Sequence, residues 1–160
     1  PVENLIGEEG QGFRQFMTFF NRTRFHVGAE GVGIAQGAMD RALGHVRTRR
    51  QFGSVLASFQ AIQFTIAEMA TWVRAARNLY YEAAQSVDAG KPDHALIAMA
   101  KWYSGEIAVK CADAALQMHG GYGYIDETKV NRLYRAAKIL EIYEGTKEME
   151  KTIISRSLLQ

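Results

Sequence analysis

The sequence predicts an all-α protein, an up-and-down helical bundle of three long and two shorter helices. Three observations carry that reading. Only two prolines occur, Pro1 and Pro92. Long segments repeat apolar residues every three or four positions. Clear turn signals, Ala89-Gly90-Lys91-Pro92 and Gly120-Gly121 with Gly123, separate those segments.

The first helical region follows a Gly-rich opening and carries Phe13, Phe16, Met17 and Phe20, then Ile34, Ala35, Ala38, Met39, Ala42, Leu43 and Val46 on one face, ending near Arg49 or Arg50. Gly28, Gly31, Gly33 and Gly37 fall inside it, and each costs about 1 kcal/mol relative to Ala in a helix interior. Because the apolar period continues past them, the expectation is a close neighbour at these positions rather than a break. A second helix, from about Ser58 to Val87, has Ile62, Ile66, Met69, Val73, Ala76, Tyr80, Ala83 and Val87 in register. Asp93 can cap a third, which runs through Ile97, Ala100, Lys101, Ile107, Cys111, Ala115 and Leu116 into a glycine loop. A fourth follows Asp126 with Val130, Leu133, Tyr134 and Ala137 inward. The fifth starts at Thr146, a good N-cap residue, and places Met149, Ile153, Ile154 and Leu158 at helical spacing.

The composition bounds what such a bundle can do. A chain of 160 residues with 48% hydrophobic content can bury one core without metals or disulfides. A net charge of +2 provides no general field for nucleic acid, and basic residues do not interleave with aromatics in a stripe. The single cysteine, Cys111, excludes an internal disulfide and sits in an Ala-rich run suited to a small buried hydrophobe. No apolar run reaches membrane-spanning length, and the N-terminus lacks signal- or transit-peptide character. A reducing compartment fits, bacterial cytoplasm or mitochondrial matrix, and not secretion. Beginning at Pro1, the chain reads as cut from something longer, with 1–8 as a linker and 9–160 as the bundle. No Glu-x-x-His pair occurs, and His26, His45, His94 and His119 have no i, i+4 pairing, so no metal site is expected.

Four constellations could carry chemistry. In Glu141-Ile142-Tyr143-Glu144-Gly145-Thr146 a carboxylate sits on a sharp Gly turn before a helix start, either as a positioned base or as an exposed acid near a helix N-terminus. Arg47, Arg49 and Arg50, then Gln51-Phe52-Gly53 and Phe59-Gln60, could meet phosphate and a planar group, or could only complement a helix C-terminus. Gln117 to Tyr124 is a helix end with a Gly loop whose amides could bind phosphate or ribose, or a plain helix stop. Asn21-Arg22-Thr23-Arg24 interrupts an apolar face.

Together and in this order, Asn-Arg-Thr-Arg at 21–24, Arg49-Arg50-Gln51-Phe52-Gly53 with Gln60, Gln117-x-x-Gly120-Gly121 and Ile142-Tyr143-Glu144-Gly145-Thr146 resemble the C-terminal helical domain of the acyl-CoA dehydrogenase family. The resemblance covers essentially the whole chain. It implies FAD as cofactor, an acyl-CoA substrate, a homo-oligomer (dimer or tetramer), and electron-transferring flavoprotein as acceptor for the full-length enzyme. It implies Glu144 as the base that removes the α-proton of the thioester while hydride leaves the β-carbon for the flavin. It implies Arg49 on the FAD pyrophosphate with Gln51, Phe52, Phe59 and Gln60 on the same cofactor, Gln117, Gly120 and Gly121 reaching FAD from a neighbouring subunit, and Thr146 and Glu148 completing the flavin contacts. Asn21, Arg24, Tyr143 and Gly145 would face the acyl-CoA, Gly145 by allowing close approach. Some relatives carry Gln in place of Glu148 and Asp in place of Asn21. Members that carry the base on the first long helix have Glu at the position of Thr23, which this chain does not. The alternatives are a non-catalytic helical oligomerisation module and an acyl-CoA oxidase-like flavoprotein.

Overall fold

A computed structural model describes all residues 1–160. Helix α1 is continuous over Gly12–Thr48, α2 spans Gln60–Asp88, α3 spans His94–His119, α5 spans Val130–Ile139 and α6 spans Lys147–Leu158. Two details depart from the sequence expectation. The Gly120–Gly123 stretch is not wholly loop, because Gly121–Tyr124 closes one helical turn, α4. Between α1 and α2 a hairpin pairs β1 (Arg50–Gln51) with β2 (Ser54–Val55). Its two-residue turn, Phe52-Gly53, has φ 50° and 78°, the left-handed pair that suits the twist of a tight hairpin. Asp93 caps α3 as expected, its carboxylate accepting from Leu96 N at 3.0 Å. Thr146 occupies the N-cap of α6 but makes no side-chain capping bond. No helix is long and apolar enough to cross a membrane.

α3 lies at the centre and touches α1, α2, α5 and α6, and its largest contact is with α1. The sequence explains why these two helices can lie so close. Gly28, Gly31, Ala35, Ala38 and Ala42 repeat at three- and four-residue spacing along α1 and are all buried. Ile97, Lys101, Ser104, Ala108, Cys111, Ala115 and Met118 do the same along α3. Small side chains on facing seams let backbones approach. Gly28 faces Ala100 and Gly31 faces Ser104, so the helices run parallel. A Cβ on Gly31 would lie 2.8 Å from Ser104 Cβ. Gly33 points into open space and Gly37 meets only the Arg41 side chain, so the close-neighbour expectation holds for two of the four glycines.

Several residues expected inward are outward. Phe13 and Phe16 are exposed, and Phe20 is half-buried. Tyr134, Val87, Met149 and Leu158 are also exposed. α6 docks by a different residue than its apolar positions suggest. Glu150 is fully buried against the α1–α3 seam, within 3.1 Å of Arg24 Nε, and neither of its carboxyl oxygens makes a hydrogen bond. Burial pushes its carboxyl up to about 7, against the pull of Arg24 and Lys101.

Two outcomes test this packing. Gly31→Ala should destabilise the protein by about 1–3 kcal/mol through overpacking, whereas Gly33→Ala should stabilise it by about 0.5–1 kcal/mol, both read from denaturant midpoints. Between pH 4.5 and about 7 the folded protein keeps a proton on Glu150 that the unfolded chain has lost. The stability contribution of this group therefore falls as pH rises through that window and is level above it, by on the order of 1–3 kcal/mol. Thermal melts across the window should show this decline in the wild type and lack it in Glu150→Gln.

Candidate active site

The segment between α5 and α6 ends in a strained turn. Glu144 has φ 57° and Gly145 φ 109°. A non-glycine residue in the left-handed region costs about 1–3 kcal/mol and persists only where its surroundings hold it there. Here two buried cations do so. Arg24 Nε donates to the Glu144 carbonyl oxygen at 3.1 Å. The Lys101 ammonium donates to the next carbonyl, that of Gly145. Charge-assisted hydrogen bonds contribute about 1.5–3 kcal/mol each, enough together to offset the strain.

Both cations come from the helix seams. Arg24 precedes Gly28 by four residues on α1, and Lys101 precedes Ser104 by three on α3, so each points into the bundle where the turn lands. Asn21 Oδ1 accepts from Arg24 Nη1 at 3.2 Å and steadies the guanidinium. Burial lowers the Lys101 pKa, partly countered by Glu150. The N–H of Glu144 finds no acceptor within the chain and remains a free donor. The Glu144 carboxylate is half-buried and accepts a hydrogen bond from the Thr23 hydroxyl through Oε2. One helical turn of α1, Asn21 to Arg24, thus holds both the side chain and the backbone of Glu144.

Neighbouring residues brace the turn. Tyr143 donates to Glu30 Oε2 at 2.7 Å, and burial with that bond pushes its phenol up to about 12. Glu141 is buried and pairs with Lys138 and with Lys147 at 3.1 Å. Burial would raise its carboxyl, but these two hydrogen-bonded lysines together hold it below the usual range. The space where Gly145 would carry a Cβ is filled from inside by Glu150 Oε1. Glycine is favoured there first by the φ of 109°, which L side chains rarely adopt, and also by the buried carboxyl beneath the turn.

The expected site residues fall at two ends of the bundle. Glu144, Gly145, Tyr143, Asn21 and Arg24 converge at the N-terminal side of α1 and α3, with Thr146 and Glu148 exposed at the start of α6. Asn21 also opens on a cavity of about 690 Å³ lined by Arg22, Phe25, His26 and His94. At the other end, Arg49, Gln51, Gln117, Gly120 and Gly121 line one cleft of about 520 Å³ within a single protomer. Phe52 is exposed with its ring edge-on to Phe59 at 6.3 Å, and neither they nor Gln60 line that cleft. About 37 Å of helix axis separates Arg24 from Arg49 at the α-helical rise per residue.

Sequence reasoning missed Thr23 as a partner of Glu144, Lys101 and Glu150 as parts of the turn's support, and His45 in the cleft, while His119 and Tyr122 fall within the Gln117 to Tyr124 stretch it singles out. In the cleft, the His45 and His119 rings stack at 4.1 Å, and the Arg49 guanidinium lies 5.6 Å from the Tyr122 ring centroid. Burial first, then His119 and Arg49, lowers the His45 pKa. The available signal was a charged residue on an apolar seam, most visibly Lys101.

The Arg49 cleft could hold an anionic group such as a phosphate. Its guanidinium has no carboxylate or hydrogen-bond partner, two amide side chains flank it, and a Cβ at Gly120 or Gly121 would meet nothing within 4 Å, which leaves the backbone open to close approach.

Comparison with known proteins agrees with the geometry. Residues 10–159 match the family model described as acyl-CoA dehydrogenase, C-terminal domain. The chain is 44% identical over 160 residues to subunit CarC of the caffeyl-CoA reductase–Etf complex of Acetobacterium woodii, covering 100% of this chain and 42% of that protein. It is 46% identical over 160 residues to acryloyl-CoA reductase (NADH) of Anaerotignum propionicum, covering 100% of this chain and 41% of the relative. The butyryl-CoA dehydrogenase structure from Megasphaera elsdenii superposes with a TM-score of 0.94 at 41% identity, over 100% of this chain and 42% of that one. The chain thus spans about two fifths of the length of the relatives it matches. On the strength of the helical architecture, the Glu144 turn and these matches, the chain belongs to the acyl-CoA dehydrogenase family as its C-terminal domain.

Proposed function

We propose that the full-length protein interconverts acyl-CoA and 2-enoyl-CoA thioesters with FAD, and that Glu144 of this domain is the base at the α-carbon. The observation that carries the reading is the held turn: a half-buried carboxylate fixed through its own carbonyl and the next one by Arg24 and Lys101. An α-C–H beside a thioester is a weak acid, so a carboxylate oxygen must be presented to it at a defined angle and away from water. Thr23 orients the carboxylate in the resting site. The free N–H of Glu144 is suited to donate to the thioester oxygen as negative charge develops there. Bound FAD supplies the acceptor for the β-hydride. Tyr143, fixed by Glu30, forms a wall beside the base.

The two ends of the bundle imply an assembly. The distance from the Glu144 turn to the Arg49 cleft exceeds the length of an extended dinucleotide, so one FAD cannot reach both within a protomer. Arg49, Gln51, Gln117, Gly120 and Gly121 would instead hold the pyrophosphate of a cofactor whose flavin lies at the Glu144 of a neighbouring copy, with Thr146 and Glu148 beside it. In this reading Arg49 and the Gln117 group act on one FAD from the same copy, whereas the sequence resemblance implies that only Gln117, Gly120 and Gly121 reach across from a neighbour. A homo-oligomer follows, with electron-transferring flavoprotein as the redox partner. Two of the relatives named above are reductases, which favours testing the reaction in both directions.

In the full-length protein, Glu144→Gln should leave FAD bound and slow flavin reduction by acyl-CoA at least 10²- to 10⁴-fold, as followed by bleaching of the visible spectrum on rapid mixing. Undiminished bleaching would remove Glu144 from the role. A colourless protein that stays assembled when Arg49 and Gln60 are mutated would identify an oligomerisation module instead, and peroxide release under oxygen would identify an oxidase. The isolated 160-residue chain should show little or no turnover.

A further inference from the structure

Glu150 has no place in the reaction just described, yet it is the only fully buried acid in the chain and lies directly beneath the base. Its Oε1 lies 3.1 Å from Arg24 Nε, the same distance as the Glu144 carbonyl oxygen. Arg24 Nε carries a single hydrogen, and that hydrogen is directed at Glu144 O, leaving both Glu150 oxygens without a hydrogen bond. Two acceptors therefore compete for one N–H.

We propose that Glu150 is a positioning residue for Glu144: its carboxyl, wedged under Gly145 between Arg24 and Lys101, sets how firmly those two cations hold the Glu144 and Gly145 carbonyls. Protonated, it competes weakly and leaves the Arg24 hydrogen on the turn. Ionised, it draws Arg24 and Lys101 toward itself and loosens the turn that presents the base.

The charged groups around it agree. Arg24 faces it from α1 and Lys101 from α3, while Glu144 and Glu141 act on Lys101 from the segment before α6. Lys147 of α6 is occupied by Glu141. Burial outweighs the two cations and raises the carboxyl to about 7, so its proton is exchanged near neutrality. A glutamine would fill the same space and never ionise.

This inference rests on Glu144 as the base, and its test uses two readouts on the FAD-bound full-length protein. The first is the pH profile of flavin reduction by acyl-CoA. Wild type should lose about ten- to a hundredfold in rate on the alkaline side of neutrality as the base is misplaced; Glu150→Gln should abolish that limb and keep the acidic one. The second needs no turnover. Hydrogen exchange of the peptide covering Glu141 to Glu150, corrected for intrinsic rates, should show protection falling from pH 6 to pH 8 in wild type and staying level in Glu150→Gln. Coincident profiles for the two proteins in both readouts would overturn the proposal. If no thioester reacts in either direction while protection still titrates in wild type alone, the proposed reaction falls and the Glu150 device stands.

Discussion

Two buried cations gripping consecutive carbonyls, Arg24 on Glu144 and Lys101 on Gly145, are the constraint on which the rest of this domain depends. Without them the left-handed turn would relax, and the carboxylate would be one exposed acid among several. The cations can reach the turn only because α1 and α3 lie close enough for their seams to share one face. That closeness rests on Gly31 against Ser104 and on the alanines that continue the seam to Ala42 and Ala115. Core packing and site geometry are therefore one problem here.

The polar end of the core is costly and specific. Lys101 and Glu150 are among the largest fully buried side chains, in positions where leucine or methionine would pack without a desolvation cost. A buried charge network of this kind is weak evidence for stability, and what it secures is a particular backbone conformation. The two buried acids show how local partners decide the outcome. Glu141 has two hydrogen-bonded lysines and stays low, while around Glu150 burial outweighs the pull of Arg24 and Lys101 and pushes its carboxyl up.

The opposite end of the bundle is built by other means. There α1 and α3 finish side by side, and the residues at and just beyond their ends, Arg49 and Gln117 with Gly120 and Gly121, form an open cleft. The hairpin turn at Phe52-Gly53 and the single turn of α4 are local solutions to chain reversal, and they bring a guanidinium and exposed backbone to one place. This cleft and the Glu144 turn lie at opposite ends of the bundle.

Much of this was legible in the residues. The 3–4 periodicity placed the long helices, Asp93 announced the start of α3, and the Glu144-Gly145 dipeptide marked the turn; all are local signals carried by neighbours within a few residues. The spacing also put Lys101 on the buried seam of α3, without indicating what it meets there. What only the tertiary structure decided is long-range. The sequence could not show that Thr23 and Arg24 meet Glu144 across more than a hundred residues, that Glu150 rather than Met149 faces inward, or that a carboxyl lies beneath Gly145. Nor could it show that Arg49 belongs with Gln117 and apart from Glu144. Helical periodicity specifies which face of an element is buried, but the partner of a polar group on that face is set by how whole helices dock, and docking is the sum of contacts no local window contains.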